Sequence, residues 1–187
     1  MKNIFIIHRW GGKPNSDWYA WLKNELEVKG YNVSIPEMPN TEVPDIKEWV
    51  SKLNAICPTS NKDTIFIGHS IGCQAILRYL SQTSDDIKVD QLVLVAPWTK
   101  LKPIIKEEDG AEEIAKPWVE TPIEWGKIKA KVNKSVAIFS IDDYYVYSEE
   151  ANIFEEKLGS KILILQNRGH FTGEDGVISF PEIIDFL

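Results

Sequence analysis

The chain has 187 residues, 43% hydrophobic and 26% charged, and 28 acidic against 21 basic side chains leave a net charge of −7. That length suits one domain spanning residues 1–187, able to fold without disulfides or a metal. The acidic balance argues against a nucleic-acid partner, and no apolar run approaches the roughly 18 residues of a membrane span.

Short β-branched runs alternate with amphipathic stretches. Residues 4–7 form the first expected strand, too short for a signal-peptide core, which points to a cytoplasmic protein. Ser16 is the expected N-cap of a helix through Trp18, Trp21, Leu22 and Leu26, stopped by Gly30. Residues 31–35 give a second strand, and Pro36, Pro39 and Pro44 punctuate the loop beyond it. Asp45 caps a helix with Ile46, Trp49, Val50 and Leu53 on one face. Residues 65–67 and 92–95 are further strands, with a helix at 71–80 between them.

Residues 97–131 interrupt the alternation with four prolines, an acidic run at 107–113, and Trp98, Trp118 and Trp125. This excursion suits a short cap beside the substrate mouth. The three tryptophans are candidates for the pocket wall, Trp98 first among them, and the acidic run for a solvated segment. Alternation resumes with a strand at 136–141, a helix at 148–158, a strand at 162–165 and a last helix near 181–187. Runs that are apolar throughout, separated by amphipathic helices, imply a mostly parallel sheet of about six strands covered on both faces, a three-layer α/β fold.

Gly68-His69-Ser70-Ile71-Gly72 is the most informative stretch. Gly-x-Ser-x-Gly between a buried strand and a helix makes a sharp turn that exposes the serine hydroxyl, and glycines on either side let strand and helix approach closely. By residue frequency, such a pattern arises by chance about 0.06 times in a chain this long. A serine hydroxyl needs a base, and the base an orienting carboxylate, in the order Ser, Asp or Glu, His along the chain.

His170, just beyond the last strand, is the one histidine after Ser70. Asp142-Asp143 follows the preceding strand, and spacing does not choose between the two. The backbone N–H of Ile71 is the first oxyanion donor; the second comes from the loop after the first strand, with Trp10 preferred and Arg9 the alternative. His8 is a candidate for the substrate pocket or a second base, though its position suits a loop-shaping role; His69 reads as a packing residue, and so does Cys73. Gly11-Gly12-Lys13 lacks the first glycine of a phosphate loop, and no metal or other cofactor is expected.

These residues carry a resemblance. The sequence is similar to α/β-hydrolases, and among them to the small serine hydrolase family of YdeN-like proteins and retinoblastoma-binding protein nine. The likeness runs from Ile6-Ile7-His8 and Trp18-Tyr19-Ala20-Trp21-Leu22 through Met38-Pro39-Asn40, Trp49 and the elbow to Gly169-His170-Phe171.

It implies that Asp143, the second aspartate of an Asp-Asp-x-x-Val pattern, is the acid, 27 residues before His170. Arg9 departs from the glycine common after the first-strand histidine, and Tyr147 from the proline of the acid loop. The Leu-x-Cys-x-Glu segment associated with retinoblastoma-protein binding is absent, so that partner is not implied. The implied activity is hydrolysis of small carboxylic esters or amides through an acyl-enzyme on Ser70, with Asp143 and His170. A catalytically weak interaction protein on the same fold is the alternative.

Overall fold

The computed structural model describes residues 2–57 and 61–187. Its strands are β1 (Asn3–Ile7), β2 (Asn32–Ser34), β3 (Thr64–His69), β4 (Val89–Val95), β5 (Val132–Ser140) and β6 (Lys161–Leu165). They pair in the order β2-β1-β3-β4-β5-β6, and every pairing is parallel. The helices are α1 (Tyr19–Val28), α2 (Ile46–Ile56), α3 (Ile71–Gln82), α4 (Ala111–Glu120), α5 (Trp125–Lys129) and α6 (Ala151–Leu158). Among the described residues no helix is long and apolar enough to cross a membrane.

The strand order dictates the layers. Crossovers between parallel strands are right-handed, so the step from β1 out to β2 puts α1 on one face, while the steps the other way put α2, α3, α5 and α6 on the opposite face. Those four helices pack on one another in chain order. Trp18, just ahead of α1, meets Phe180, just ahead of the C-terminal 3-10 turn Pro181–Phe186, at 5.6 Å between ring centroids. Every residue of β3 is buried, as a strand covered on both faces requires. The direction of winding reverses at β1, and the crevice beyond the C-terminal ends of β1 and β3 is where open α/β sheets hold ligands.

Local signals explain most elements. Asp45 caps α2, its side chain accepting from the Glu48 N–H at 3.0 Å. The expected Ser16 cap is corrected: the Ser16 hydroxyl accepts from the Lys13 N–H at 3.0 Å, and α1 opens two residues after Asp17 with no side-chain cap. The 148–158 helix opens as a 3-10 turn over Ser148–Glu150, and the C-terminal element is a 3-10 turn too. The 97–131 excursion holds a 3-10 turn (Pro103–Glu107), α4 and α5. Arg78 of α3 ties it down, donating from Nη2 to the carbonyls of Trp118 (2.7 Å) and Thr121 (2.8 Å).

Candidate active site

Ser70 sits between β3 and α3 with φ 53° and ψ −118°, a conformation that costs a non-glycine residue on the order of 1–3 kcal/mol. The neighbours enforce it. A Cβ on Gly72 would lie 2.3 Å from the Ile7 carbonyl oxygen and 2.8 Å from that of His8, so only glycine lets α3 cross β1 here. A Cβ on Gly68 would lie 2.9 Å from the Cys73 backbone. The Ser70 N–H donates to the Val95 carbonyl at 2.9 Å, which ties the turn to β4. Ile71 is the first residue of α3, so its N–H is one of the amides for which a helix offers no acceptor.

The loop after β5 presents the two aspartates differently. Asp143 is 2% exposed; its Oδ1 accepts from the N–H groups of Tyr145 (2.8 Å) and Val146 (2.9 Å), and its Oδ2 lies 2.8 Å from His170 Nδ1. An aspartate acceptor fixes the proton on Nδ1 and leaves Nε2 free to accept. Asp142 makes no hydrogen bond to the ring among the described residues. It accepts from the Ser140 hydroxyl (2.6 Å) and the Gly169 N–H (3.2 Å), and the Ser140 bond above all holds its carboxyl below the usual carboxylate range.

Ser70 and His170 line one cavity of about 270 Å³, walled by Trp10, Trp98, Tyr144 and Tyr145. The Trp98 indole Nε1 lies 3.4 Å from Ser70 Oγ. Glu42, Glu108 and Glu174 stand around the same cavity. Among the described residues no group of three or more His, Cys, Asp or Glu is placed to hold a metal ion.

Comparison with known proteins gives the family. Residues 4–187 match the family model described as serine hydrolase. The chain belongs to the serine hydrolase family.

Relatives of this serine hydrolase include YdeN of Bacillus subtilis strain 168, named as a hydrolase, at 26% identity over all of this chain and 94% of that protein. Serine hydrolase RBBP9 of Rattus norvegicus is 28% identical over 98% of this chain and 91% of its own length. The crystal structure of the B. subtilis ydeN gene product superposes with a TM-score of 0.91 at 25% identity, covering 100% of this chain and 96% of that one.

The serine hydrolase's histidine loop rests on residues that the sequence does not single out. His170 N–H donates to Asp175 Oδ2 at 2.9 Å, and the same oxygen accepts from the Thr172 N–H (3.1 Å) and hydroxyl (2.8 Å). On the other side the His170 carbonyl accepts from His69 Nε2 at 2.8 Å, and the Tyr19 hydroxyl lies 2.6 Å from His69 Nδ1. The arrangement reads as one line of donors: Arg9 N–H to the Tyr19 oxygen (3.1 Å), Tyr19 O–H to His69 Nδ1, His69 Nε2–H to the His170 carbonyl.

Complete burial pulls the His69 pKa down to about 3, with the nearby His170 adding to the effect, so this ring stays neutral. Asp17 closes the network, accepting from Arg9 Nε (2.8 Å) and the Gly173 N–H (2.8 Å). Burial opposes its ionisation, yet those bonds keep its carboxyl below the usual range.

Several expectations change here. His69 packs, but it also holds the His170 backbone. His8 is fully buried, with Nδ1 against the Arg9 carbonyl (2.9 Å) and Nε2 accepting from the Met38 N–H (3.1 Å), and it does not line the cavity; the pocket expectation for it is corrected to a loop-shaping one. Of the three excursion tryptophans only Trp98 lines the cavity. Trp118 donates to the Pro44 carbonyl at 3.0 Å, and Trp125 packs edge-on against Phe154. In the exposed acidic run, Glu108 is more than solvated: it lines the cavity and accepts from the Tyr145 hydroxyl.

In the loop after β1, Arg9 N–H is taken by Tyr19, Gly11 N–H by the Thr41 carbonyl (2.9 Å) and Gly12 N–H by the Arg9 carbonyl (3.1 Å). Trp10 N–H meets no acceptor among the described residues.

Proposed function

We propose that this serine hydrolase cleaves small carboxylic esters, with amides as a second class, through an acyl-enzyme on Ser70. Ser70 Oγ attacks the acyl carbon while His170 Nε2 takes its proton, and Asp143 holds the imidazole tautomer and stabilises the imidazolium. The N–H groups of Ile71 and Trp10 receive the developing oxyanion, the role of preorganised backbone donors. His170 returns its proton to the leaving group as the intermediate collapses. Water, deprotonated by His170 in turn, then releases the acid. The observation that carries this reading is the 2.8 Å contact between Asp143 Oδ2 and His170 Nδ1 beside the cavity that Ser70 also lines. A cavity of about 270 Å³ favours small acyl groups.

A fluorophosphonate probe tests it. Wild-type protein is expected to label and Ser70→Ala to lose labelling completely, with p-nitrophenyl acetate turnover lost in parallel. Folded wild-type protein that resists the probe would overturn the reading.

A further inference from the structure

Buried indole N–H groups need acceptors, and four tryptophans here find backbone carbonyls. Trp10 donates to Glu42 (3.0 Å), Trp18 to Phe171 (3.1 Å), Trp49 to Pro39 (2.8 Å) and Trp118 to Pro44 (3.0 Å). Trp98 is buried like Trp18, Trp49 and Trp118, at 1% exposure, but its Nε1 is directed at the Ser70 hydroxyl oxygen, 3.4 Å away. Gln74 of α3 ties down the main chain that carries the indole, its Nε2 donating to the Trp98 carbonyl at 2.5 Å. The same helix therefore holds the nucleophile at its start and the Trp98 backbone from a residue four positions further on.

We propose that Trp98 is a catalytic residue whose indole N–H stabilises the charge on Ser70 Oγ as the C–O bond forms and breaks. This rests on the assignment of Ser70 as nucleophile.

In the resting state Oγ accepts weakly from Trp98 Nε1, which leaves the serine O–H free to donate to His170. As His170 removes that proton, negative charge grows on Oγ and the long contact shortens; charge-assisted bonds are shorter and roughly twice as strong as neutral ones. In deacylation a water oxygen bonds to the acyl carbon and its proton passes to His170. The tetrahedral intermediate then collapses, the C–Oγ bond breaks, and the electron pair returns to Oγ, which regains a proton from His170. Oγ is the leaving group in that step, and Trp98 is the donor aimed at it. The Ile71 and Trp10 amides act on the other oxygen, the former carbonyl, so the two sets of donors divide the charge between them.

Trp98→Phe keeps an aromatic ring and removes the N–H. With p-nitrophenyl acetate its acylation burst and steady-state turnover should both slow about 3–10-fold, the value of one hydrogen bond, with KM little changed. Replacing Trp98 with 3-benzothienylalanine, which keeps the bicyclic shape and exchanges N–H for sulfur, should give the same loss. Trp118→Phe, which breaks an indole bond away from the cavity, should leave the rates alone.

Unchanged burst and turnover in the isosteric variant, or a change confined to KM, would make Trp98 a wall of the pocket and overturn the inference while Ser70 remains the nucleophile. Wild-type protein that neither labels with fluorophosphonate nor turns over ester would remove the proposed function itself, and this inference with it.

Discussion

The elbow around Ser70 and the loop around His170 face each other across one cavity, yet they are held by different forces. The elbow is fixed by steric exclusion: its glycines are pressed against main chain, with Gly72 against the carbonyls of Ile7 and His8 and Gly68 against Cys73. The histidine loop is fixed by polar contacts. Asp175, Asp142 and Asp17 each accept from its amides, and His69 donates to the His170 carbonyl. Gly169 shows the contrast at one residue. A Cβ there would lie 2.3 Å from the Asp175 carboxyl group, a side chain rather than main chain. A side chain set by main-chain packing resists repositioning, whereas one held by carboxylates can shift with them.

The largest expected effect comes from breaking the rigid side. Gly72→Ala puts a methyl group into two backbone carbonyls that no rotamer change can move. The expected loss is about 3 kcal/mol or more, a fall in melting temperature of about 10 °C for a chain of this size, checked by thermal denaturation. A variant that folds with unchanged stability would show that the elbow tolerates relaxation as readily as the loop does.

On the polar side, Asp175→Ala removes the acceptor for three donors of the 170–172 segment. The fold should survive with about 2 kcal/mol lost, while p-nitrophenyl acetate turnover falls at least tenfold because the imidazole is no longer aimed. Asp175→Asn, which keeps one carbonyl acceptor, should recover part of both. Equal stability and activity in wild type and Asp175→Ala would place the loop's support elsewhere.

The same contrast decides what is legible in the sequence. Gly-x-Ser-x-Gly compresses a backbone demand into five adjacent residues, so the elbow can be read directly. The alternation of strands and helices is equally local, and the sheet follows from it. The choice between Asp142 and Asp143 is not local: both follow β5 and spacing leaves the pair open, the family likeness implies Asp143, and in the structure it is Asp143 whose Oδ2 meets His170 Nδ1.

The supports of the histidine loop are further out of reach. Tyr19 belongs to the run that carries the family likeness, yet nothing local tells that its hydroxyl meets a ring 50 residues away. No sequence motif marks Asp17, which accepts from an amide 156 residues away. Ser16 misleads for the opposite reason, since its hydroxyl has an acceptor role three residues back that competes with capping α1. Trp118 and Trp125 lie in the same excursion as Trp98, and only packing turns them away from the cavity.

The mildest test concerns the buried ring that joins the two regions. His69 follows Gly68 in the elbow and donates to the His170 carbonyl, and burial keeps its pKa down at about 3. In the unfolded chain an imidazole takes a proton near pH 6.5. Between those values the unfolded state binds more protons than the folded one, so stability is complete above about pH 6.5 and falls as the solution is acidified, by up to about 1.4 kcal/mol per pH unit. His8, whose pKa is also lowered by burial, acts in the same direction.

His69→Gln keeps an amide donor for the His170 carbonyl but has nothing to protonate. It should match wild type in melting temperature near pH 8 within a few degrees and lose distinctly less stability between pH 6.5 and 4.5, with His8 supplying the slope that remains. Identical acid slopes for the two proteins would mean that His69 is protonated without cost in the folded state, and the line of donors from Arg9 through Tyr19 to His170 would have to run in some other order.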